Sequence, residues 1–144
     1  MAFRGTFDHT LDAKNRLTVP AKFRAALAEG VVLVRGVEPC LAVWPVGDYT
    51  IQTDTALAGL NPFSPEAREL KRIFFGSAFD TELDAAGRVM LPAKFNEHAG
   101  LGREVVIAGM GECLEVWDRG AWASHDADLA ARAADLTAAL GRPG

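Results

Sequence analysis

Cysteine is scarce in this 144-residue chain, which contains only Cys40 and Cys113. Two cysteines so far apart make neither a disulfide framework nor, by themselves, a zinc site. The apolar runs are too short to span a bilayer, and residues 1–7 lack the apolar stretch of a signal peptide. We therefore expect a cytosolic protein. Each cysteine begins an apolar strand that ends in a tryptophan, so each is predicted to be a small buried hydrophobe.

An excess of positive charge is also missing. The chain carries 15 basic and 19 acidic side chains, which gives a net charge of −4, and 49% of its residues are apolar. This balance is typical of a folded globular protein. It excludes a basic coat over the whole surface but leaves room for a local basic patch.

What the sequence does contain is an internal repeat. Residues 11–23 align with residues 83–95 at an offset of 72, and eight of the thirteen aligned positions are identical. After one inserted residue, at an offset of 73, Cys40 to Trp44 aligns with Cys113 to Trp117. A unit of about 45 residues buries too little surface to be stable alone. The two copies are therefore predicted to share or interleave one core around a pseudo-two-fold axis.

Each copy is predicted to have the same order of elements. A strand, a tight turn and a returning strand are followed by a proline, a short helix and two further strands. Asn15 and Gly87 occupy the fourth position of the two turns, where a left-handed backbone suits those residue types. In the first copy the predicted segments are strands 5–11, 16–19, 31–34 and 40–44 and helix 21–27; in the second they include helix 93–98 and strands 105–108 and 113–117.

Helical segments follow both copies. Ser64 before Pro65 is predicted to start a connecting helix, and Trp122 to Leu140 is predicted to form an amphipathic C-terminal helix. That last helix could pack on its own β-core or on a neighbouring subunit, and the sequence leaves both open.

The predicted organisation is a first repeat with its following helix in residues 1–60, a linker helix in 61–75, and a second repeat with the C-terminal helix in 76–144.

The two turns carry charges at one spacing, Asp12 with Arg16 and Asp84 with Arg88. Such a pair could do no more than fasten its turn, because exposed ion pairs contribute only about 0 to 1 kcal/mol. The surrounding charge favours a further role for the first turn: residues 1–24 have a net charge of +3, whereas residues 76–95 have −1. A nucleic acid is therefore predicted to meet mainly the first copy, and charge and proximity add three candidates, Lys14, Lys22 and Arg24.

The doubled Asp-x-x-x-Arg turn, followed each time by a strand and Pro-Ala-Lys-Phe, resembles the MraZ family of bacterial transcriptional regulators. The resemblance covers nearly the whole chain. It implies an α+β, mainly β fold: a double-split, swapped-hairpin β-barrel made from two tandem AbrB/SpoVT-like repeats with flanking helices. It also implies DNA-binding residues at Asp12 and Arg16, with weaker counterparts at Asp84 and Arg88.

The resemblance further implies a repressor that assembles as a ring and associates with the nucleoid. Its partners would be other copies of the chain and short G-rich direct repeats in the promoter of the division and cell-wall gene cluster. No cofactor, metal, membrane or small-molecule substrate is expected.

Two other classes of function compete with this one. An enzyme would need its metal ligands or acid–base pair among a few side chains, namely Asp8, His9 and Asp12, or Asp80 and Asp84. An antitoxin-like or scaffold protein would share the swapped-hairpin fold, but such proteins usually carry a disordered tail, whereas this C-terminus is predicted to be helical.

Overall fold

The computed structural model describes residues 2–141, and within them the chain forms eight strands and four α-helices. In the first repeat these are β1 (Thr6–Thr10), β2 (Arg16–Thr18), β3 (Val31–Arg35), β4 (Leu41–Pro45) and α1 (Val46–Leu57). The connection contains α2 (Pro65–Lys71) and a π-helical turn, Arg72–Gly76. The second repeat has β5 (Phe79–Thr81), β6 (Arg88–Met90), α3 (Ala93–Ala99), β7 (Glu104–Gly109), β8 (Leu114–Asp118) and α4 (Arg119–Ala139).

The two repeats exchange their first strands. β1 of the first repeat pairs antiparallel with β7 of the second, and β5 of the second pairs with β3 of the first. The main sheet has the order β1-β7-β8-β4-β3-β5, in which each strand and its repeat counterpart lie at equal distances from the centre. The pseudo-two-fold axis therefore passes between β4 and β8. The predicted interleaving and the swapped-hairpin fold are confirmed.

A second, two-stranded sheet joins the repeats at the other side of the core. β2 pairs antiparallel with β6, and Leu17 lies directly opposite Val89. Both side chains are buried in one apolar core that contains residues from both repeats. Because adjacent strand residues point to opposite faces, the residues on either side of Leu17 and Val89 point away from this core.

The segment between Pro20 and Gly30 differs from the prediction. It forms two 3₁₀ turns, Ala21–Phe23 and Ala25–Leu27, in place of the predicted helix 21–27. Neither this segment nor its counterpart in the second repeat has a side-chain cap at its start, so N-terminal capping does not explain the difference. The counterpart in the second repeat forms α3 as predicted and ends at Gly100, whose φ of 62° suits a glycine cap.

The outer helices follow the sequence signals. Ser64 caps α2 by accepting a hydrogen bond from the backbone N–H of Ala67 at 3.2 Å. The start of α4 packs on its own sheet, where the rings of Trp122 and Trp117 lie 5.6 Å apart at an angle of 68°. From residue 130 to 139 every side chain of α4 is exposed, so packing on the β-core accounts only for the first part of this helix.

Candidate nucleic-acid interface

The first turn is held together by the carboxylate of Asp12. One oxygen, Oδ1, accepts hydrogen bonds from the backbone N–H groups of Lys14 (2.9 Å) and Arg16 (2.8 Å). The other, Oδ2, accepts a bond from Nε of Arg16 at 2.7 Å. This leaves the two terminal guanidinium nitrogens of Arg16 without a hydrogen-bond partner among residues 2–141. Asp12 therefore fixes the arginine while leaving its outer edge available.

The second turn repeats this geometry. Oδ1 of Asp84 accepts bonds from the backbone N–H groups of Ala86 and Arg88, both at 2.9 Å, and Oδ2 accepts from Nε of Arg88 at 2.8 Å. The side chain of Arg88 is 33% exposed and that of Arg16 is 24% exposed. Local geometry thus does not distinguish the two arginines, and any difference in function must come from what surrounds them.

These bonds change the acidity of both carboxyl groups. The backbone N–H of Arg16, followed by its side chain, lowers the pKa of Asp12 below the ordinary value of 3.8. Arg88 lowers the pKa of Asp84 in the same way. Each carboxyl group is therefore ionised at neutral pH and able to hold its arginine.

The two arginines lie on one exposed face of the β2–β6 ribbon. Arg16 is directly opposite Met90, and Thr18 is directly opposite Arg88. The two arginines are therefore about 8 Å apart at the backbone, from two residues of strand rise and one strand spacing. All four side chains point away from the buried Leu17 and Val89, and Met90 is 55% exposed. The face presents two cations with one apolar and one hydroxyl side chain between them.

Thr18 and Met90 were missed by the sequence argument, which searched for charge. The signal that could have found them is alternation: in Arg16-Leu17-Thr18 and Arg88-Val89-Met90 the central residue is apolar and pairs into the core. A period of two places the residues at both ends of each triplet on the opposite face.

The other predicted site residues lie in three different environments. Lys14 is exposed in the first turn. Nζ of Lys22 lies 4.5 Å from the centre of the Phe7 ring, a cation–π distance, on an exposed side chain. Arg24 is half-buried, and its Nε donates a hydrogen bond to the carbonyl of Val19 at 2.9 Å. The structure thus brings Asp12, Lys14 and Arg16 together in the first turn. Lys22 and Arg24 lie outside that turn, beside Phe7 and Val19 respectively.

The likeness to known proteins covers almost the whole chain. The family model described as "MraZ protein, putative antitoxin-like" matches residues 2–73 and again residues 74–142. A transcriptional regulator MraZ of Desulfitobacterium hafniense is 38% identical over 142 residues, which cover 96% of this chain and 99% of that protein. The chain belongs to the MraZ family.

Other MraZ proteins match at similar levels. A transcriptional regulator MraZ of Corynebacterium urealyticum is 41% identical over 133 residues, covering 90% of this chain and 92% of the relative. One of Kocuria rhizophila is 42% identical over 124 residues, covering 85% of each. The family resemblance stated from the sequence is confirmed, and the names are those of regulators of transcription and not of enzymes, as predicted.

The side chains considered for an enzyme lie on several separate elements. Asp8 and His9 lie on β1, Asp80 lies on β5, and Asp12 and Asp84 are bonded to the arginines of their turns. Within residues 2–141 none of them belongs to a group of three donor atoms close enough to share an ion.

Within residues 2–141 one group of three potential metal ligands lies close together. It consists of Glu38, Cys40 and Glu115, whose donor atoms lie within 4.8 Å of one another. Burial, and next the charge of Glu115, raise the pKa of the Cys40 thiol, which therefore stays protonated. As to membranes, no helix in residues 2–141 is both long and apolar enough to cross one.

Proposed function

We propose that this MraZ-family protein is a sequence-specific DNA-binding regulator of transcription that uses the exposed face of the β2–β6 ribbon. The observation that carries the proposal is the pair of arginines on that face, each fixed through Nε by an aspartate and each with its terminal nitrogens free of partners in residues 2–141. An arginine fixed in this way presents two parallel N–H donors without losing much conformational freedom on binding.

The target that fits this ribbon is the major groove of double-stranded DNA. That groove admits a two-stranded β-ribbon, and a bidentate arginine bond to O6 and N7 of guanine is the commonest specific base contact. Arg16 is the proposed reader of guanine, and Asp12 keeps it in place. Lys14 and Lys22, both exposed on the same cationic segment, are proposed to bind phosphates. Arg88, with Asp84, is proposed as the weaker second contact.

The proposed sites are short G-rich direct repeats in the promoter of the division and cell-wall gene cluster, bound by a ring of several chains. One ribbon neutralises few phosphates and would bind weakly. Several ribbons in a ring, engaging several repeats at once, gain affinity through high effective concentration. A ring held over a promoter blocks access of the polymerase, so the proposed effect is repression, and the place of action is the nucleoid.

The proposal is tested by fluorescence anisotropy on a duplex from the region upstream of the protein's own gene and on an unrelated duplex of equal length. We expect tighter binding to the upstream duplex, with an affinity that falls steeply between low and physiological salt although the chain has a net charge of −4. Equal affinity for both duplexes, or a flat response to salt, would contradict the proposal.

The ring is tested separately by mass photometry at micromolar concentration. We expect one discrete assembly of several chains, since Leu136 in the outer part of α4 is 46% exposed and Leu140, which follows the helix, is 86% exposed. A strictly monomeric protein would contradict the ring and the multivalent mechanism, while leaving direct readout by Arg16 to be judged by the anisotropy measurement.

The second candidate is an antitoxin-like or scaffold protein. Two observations favour it: the family that matches this chain is described as antitoxin-like, and residues 130–139 of α4 are exposed along their whole length. A protein of this kind would bind a partner protein through α4. Removing residues 130–144 would then abolish binding of the partner protein. The intact chain would bind the upstream duplex no more tightly than the unrelated duplex.

A further inference from the structure

The second turn differs from the first in one charged residue. Lys14 of the first turn has Ala86 as its counterpart, so the second turn supplies no lysine of its own. Its fourth residue is Gly87, which is buried and has a φ of +76°. A Cβ atom on Gly87 would lie 2.2 Å from Nε and 2.6 Å from Cζ of Arg24. The space above Gly87 is therefore filled by a guanidinium group that comes from the first repeat.

Arg24 is held over this turn by bonds that leave its charge unpaired. Its Nε donates to the carbonyl of Val19, and the backbone N–H of Val19 donates to the carbonyl of Gly87, both at 2.9 Å. Its terminal nitrogens have neither a hydrogen-bond partner nor an ion-pair partner within residues 2–141. The arginine is thus anchored through one nitrogen and keeps two donors free, as Arg16 and Arg88 do.

The first turn has a neutral arrangement at the corresponding place. Asn15 has a φ of 60°, and its side chain exchanges hydrogen bonds with that of Asn96 in the second repeat, at 2.9 and 2.7 Å. Asn96 is the sequence counterpart of Arg24. Each turn is therefore covered by the other repeat, and at this position the second turn has the cation Arg24 where the first turn has the neutral Asn96.

We propose that the second turn is a composite phosphate-binding site in which Arg24 of the first repeat supplies the cation that the second repeat lacks. This inference rests on the proposed function and assigns Arg24 to the turn of Asp84 and Arg88. The free guanidinium nitrogens bind oxygens of the DNA backbone by charge-assisted hydrogen bonds. Such a contact strengthens binding to all sequences alike, whereas Arg16 discriminates between bases.

The decisive variant is the double substitution Arg24→Asn with Gly87→Asn. It gives the second turn the neutral asparagine pair that the first turn already uses, so we expect the fold and the assembly to persist. The single variant Arg24→Gln removes the charge and keeps an N–H donor for the carbonyl of Val19. Arg68→Gln, on the exposed surface of α2, is the control for loss of one positive charge.

Binding of each variant is measured by anisotropy on the upstream duplex and on the unrelated duplex over a range of salt. For both Arg24 variants we expect weaker binding to the two duplexes by the same factor, and a slope of log affinity against log salt that is smaller by about 0.9 for each engaged chain. Arg24→Lys is expected to regain part of the slope, and Arg68→Gln to leave it unchanged.

Unchanged affinity and salt slope in both Arg24 variants would overturn the proposal, as would a loss confined to the upstream duplex. Specific regulation and phosphate binding by Arg24 are tested by different comparisons. If the wild-type protein binds the two duplexes equally, specific regulation fails, while the slopes of the Arg24 variants still decide whether Arg24 binds phosphate.

Discussion

Asn15 and Asn96 belong to different repeats, yet each donates a side-chain hydrogen bond to the other. Asn15 also donates to the carbonyl of Leu91, and the backbone N–H of Leu91 donates back to the carbonyl of Asn15. The turn that carries Arg16 is therefore held in position by the second repeat. Exchange of strands between the repeats stabilises the fold and at the same time fixes the candidate interface.

The contribution of this pair is measurable by a double-mutant cycle with Asn15→Gly and Asn96→Ala. Glycine is chosen at position 15 because it tolerates the left-handed backbone, as Gly87 does in the other turn. We expect each single variant to lower the free energy of unfolding, with a coupling energy of about 1 kcal/mol in urea denaturation. A coupling energy near zero would show that the two amides do not stabilise each other.

Gly87→Ala is predicted to destabilise the protein for two reasons. The new Cβ would collide with Arg24, and alanine disfavours a φ of +76°. We expect a loss of about 1 to 2 kcal/mol in urea denaturation. In the background of Arg24→Ala the collision is absent, so the cost of the same substitution should fall but not vanish. An equal cost in both backgrounds would mean that Arg24 does not lie over Gly87.

Much of the fold could be predicted because the repeat is visible in the sequence. Turns and helix ends depend on local backbone chemistry, which a short stretch of sequence determines. This holds for the turn residues Asn15 and Gly87, the cap at Ser64 and the stop at Gly100. The need for a shared core followed from the small size of each unit. The conformation of segment 21–27 could not be predicted, since helix and 3₁₀ turns differ little in energy over seven residues.

The candidate site was only partly predictable. Arg16 and Arg88 were identified from charge and spacing, but their position on one ribbon depends on the pairing of β2 with β6, whose central pair, Leu17 and Val89, is 72 residues apart in the chain. The position of Arg24 over Gly87 is a contact of the same kind. No local pattern specifies which distant strand a segment will pair with, so these contacts appear only in the folded protein.

Acid is predicted to weaken the two turns. The pKa values of Asp12 and Asp84 are lower in the folded protein than in the unfolded chain, so the folded state binds fewer protons. Their contribution is therefore fully present above the ordinary pKa of 3.8 and is lost as the pH falls through the lowered values.

Unfolding free energies measured from pH 6 down to pH 3 test this. The wild-type protein should lose more stability over this range than a variant with Asp12→Asn and Asp84→Asn, which cannot lose a charge there. Identical pH dependence in the two proteins would rule out a contribution from the turns.

The two cysteines are predicted to be unreactive in the folded protein. Burial raises the pKa of Cys113 to about 12, and burial together with Glu115 raises that of Cys40. Because the thiolate is the reactive form, we expect slow labelling by a disulfide reagent at pH 8 and rapid labelling of both thiols after unfolding in urea. Rapid labelling of the native protein would contradict the burial of these side chains.

The central claim is that Arg16 reads a base, and the most direct test compares Arg16→Ala with Arg88→Ala. The quantity to measure is the ratio of affinities for the upstream and the unrelated duplex, with size exclusion and thermal melting as controls for assembly and fold. Loss of Arg16 should remove about 1 to 3 kcal/mol of discrimination at each engaged site, so the ratio should collapse while the assembly persists. Arg88→Ala should change the ratio far less. An equal loss in the two variants, or loss of assembly in Arg16→Ala, would contradict the account.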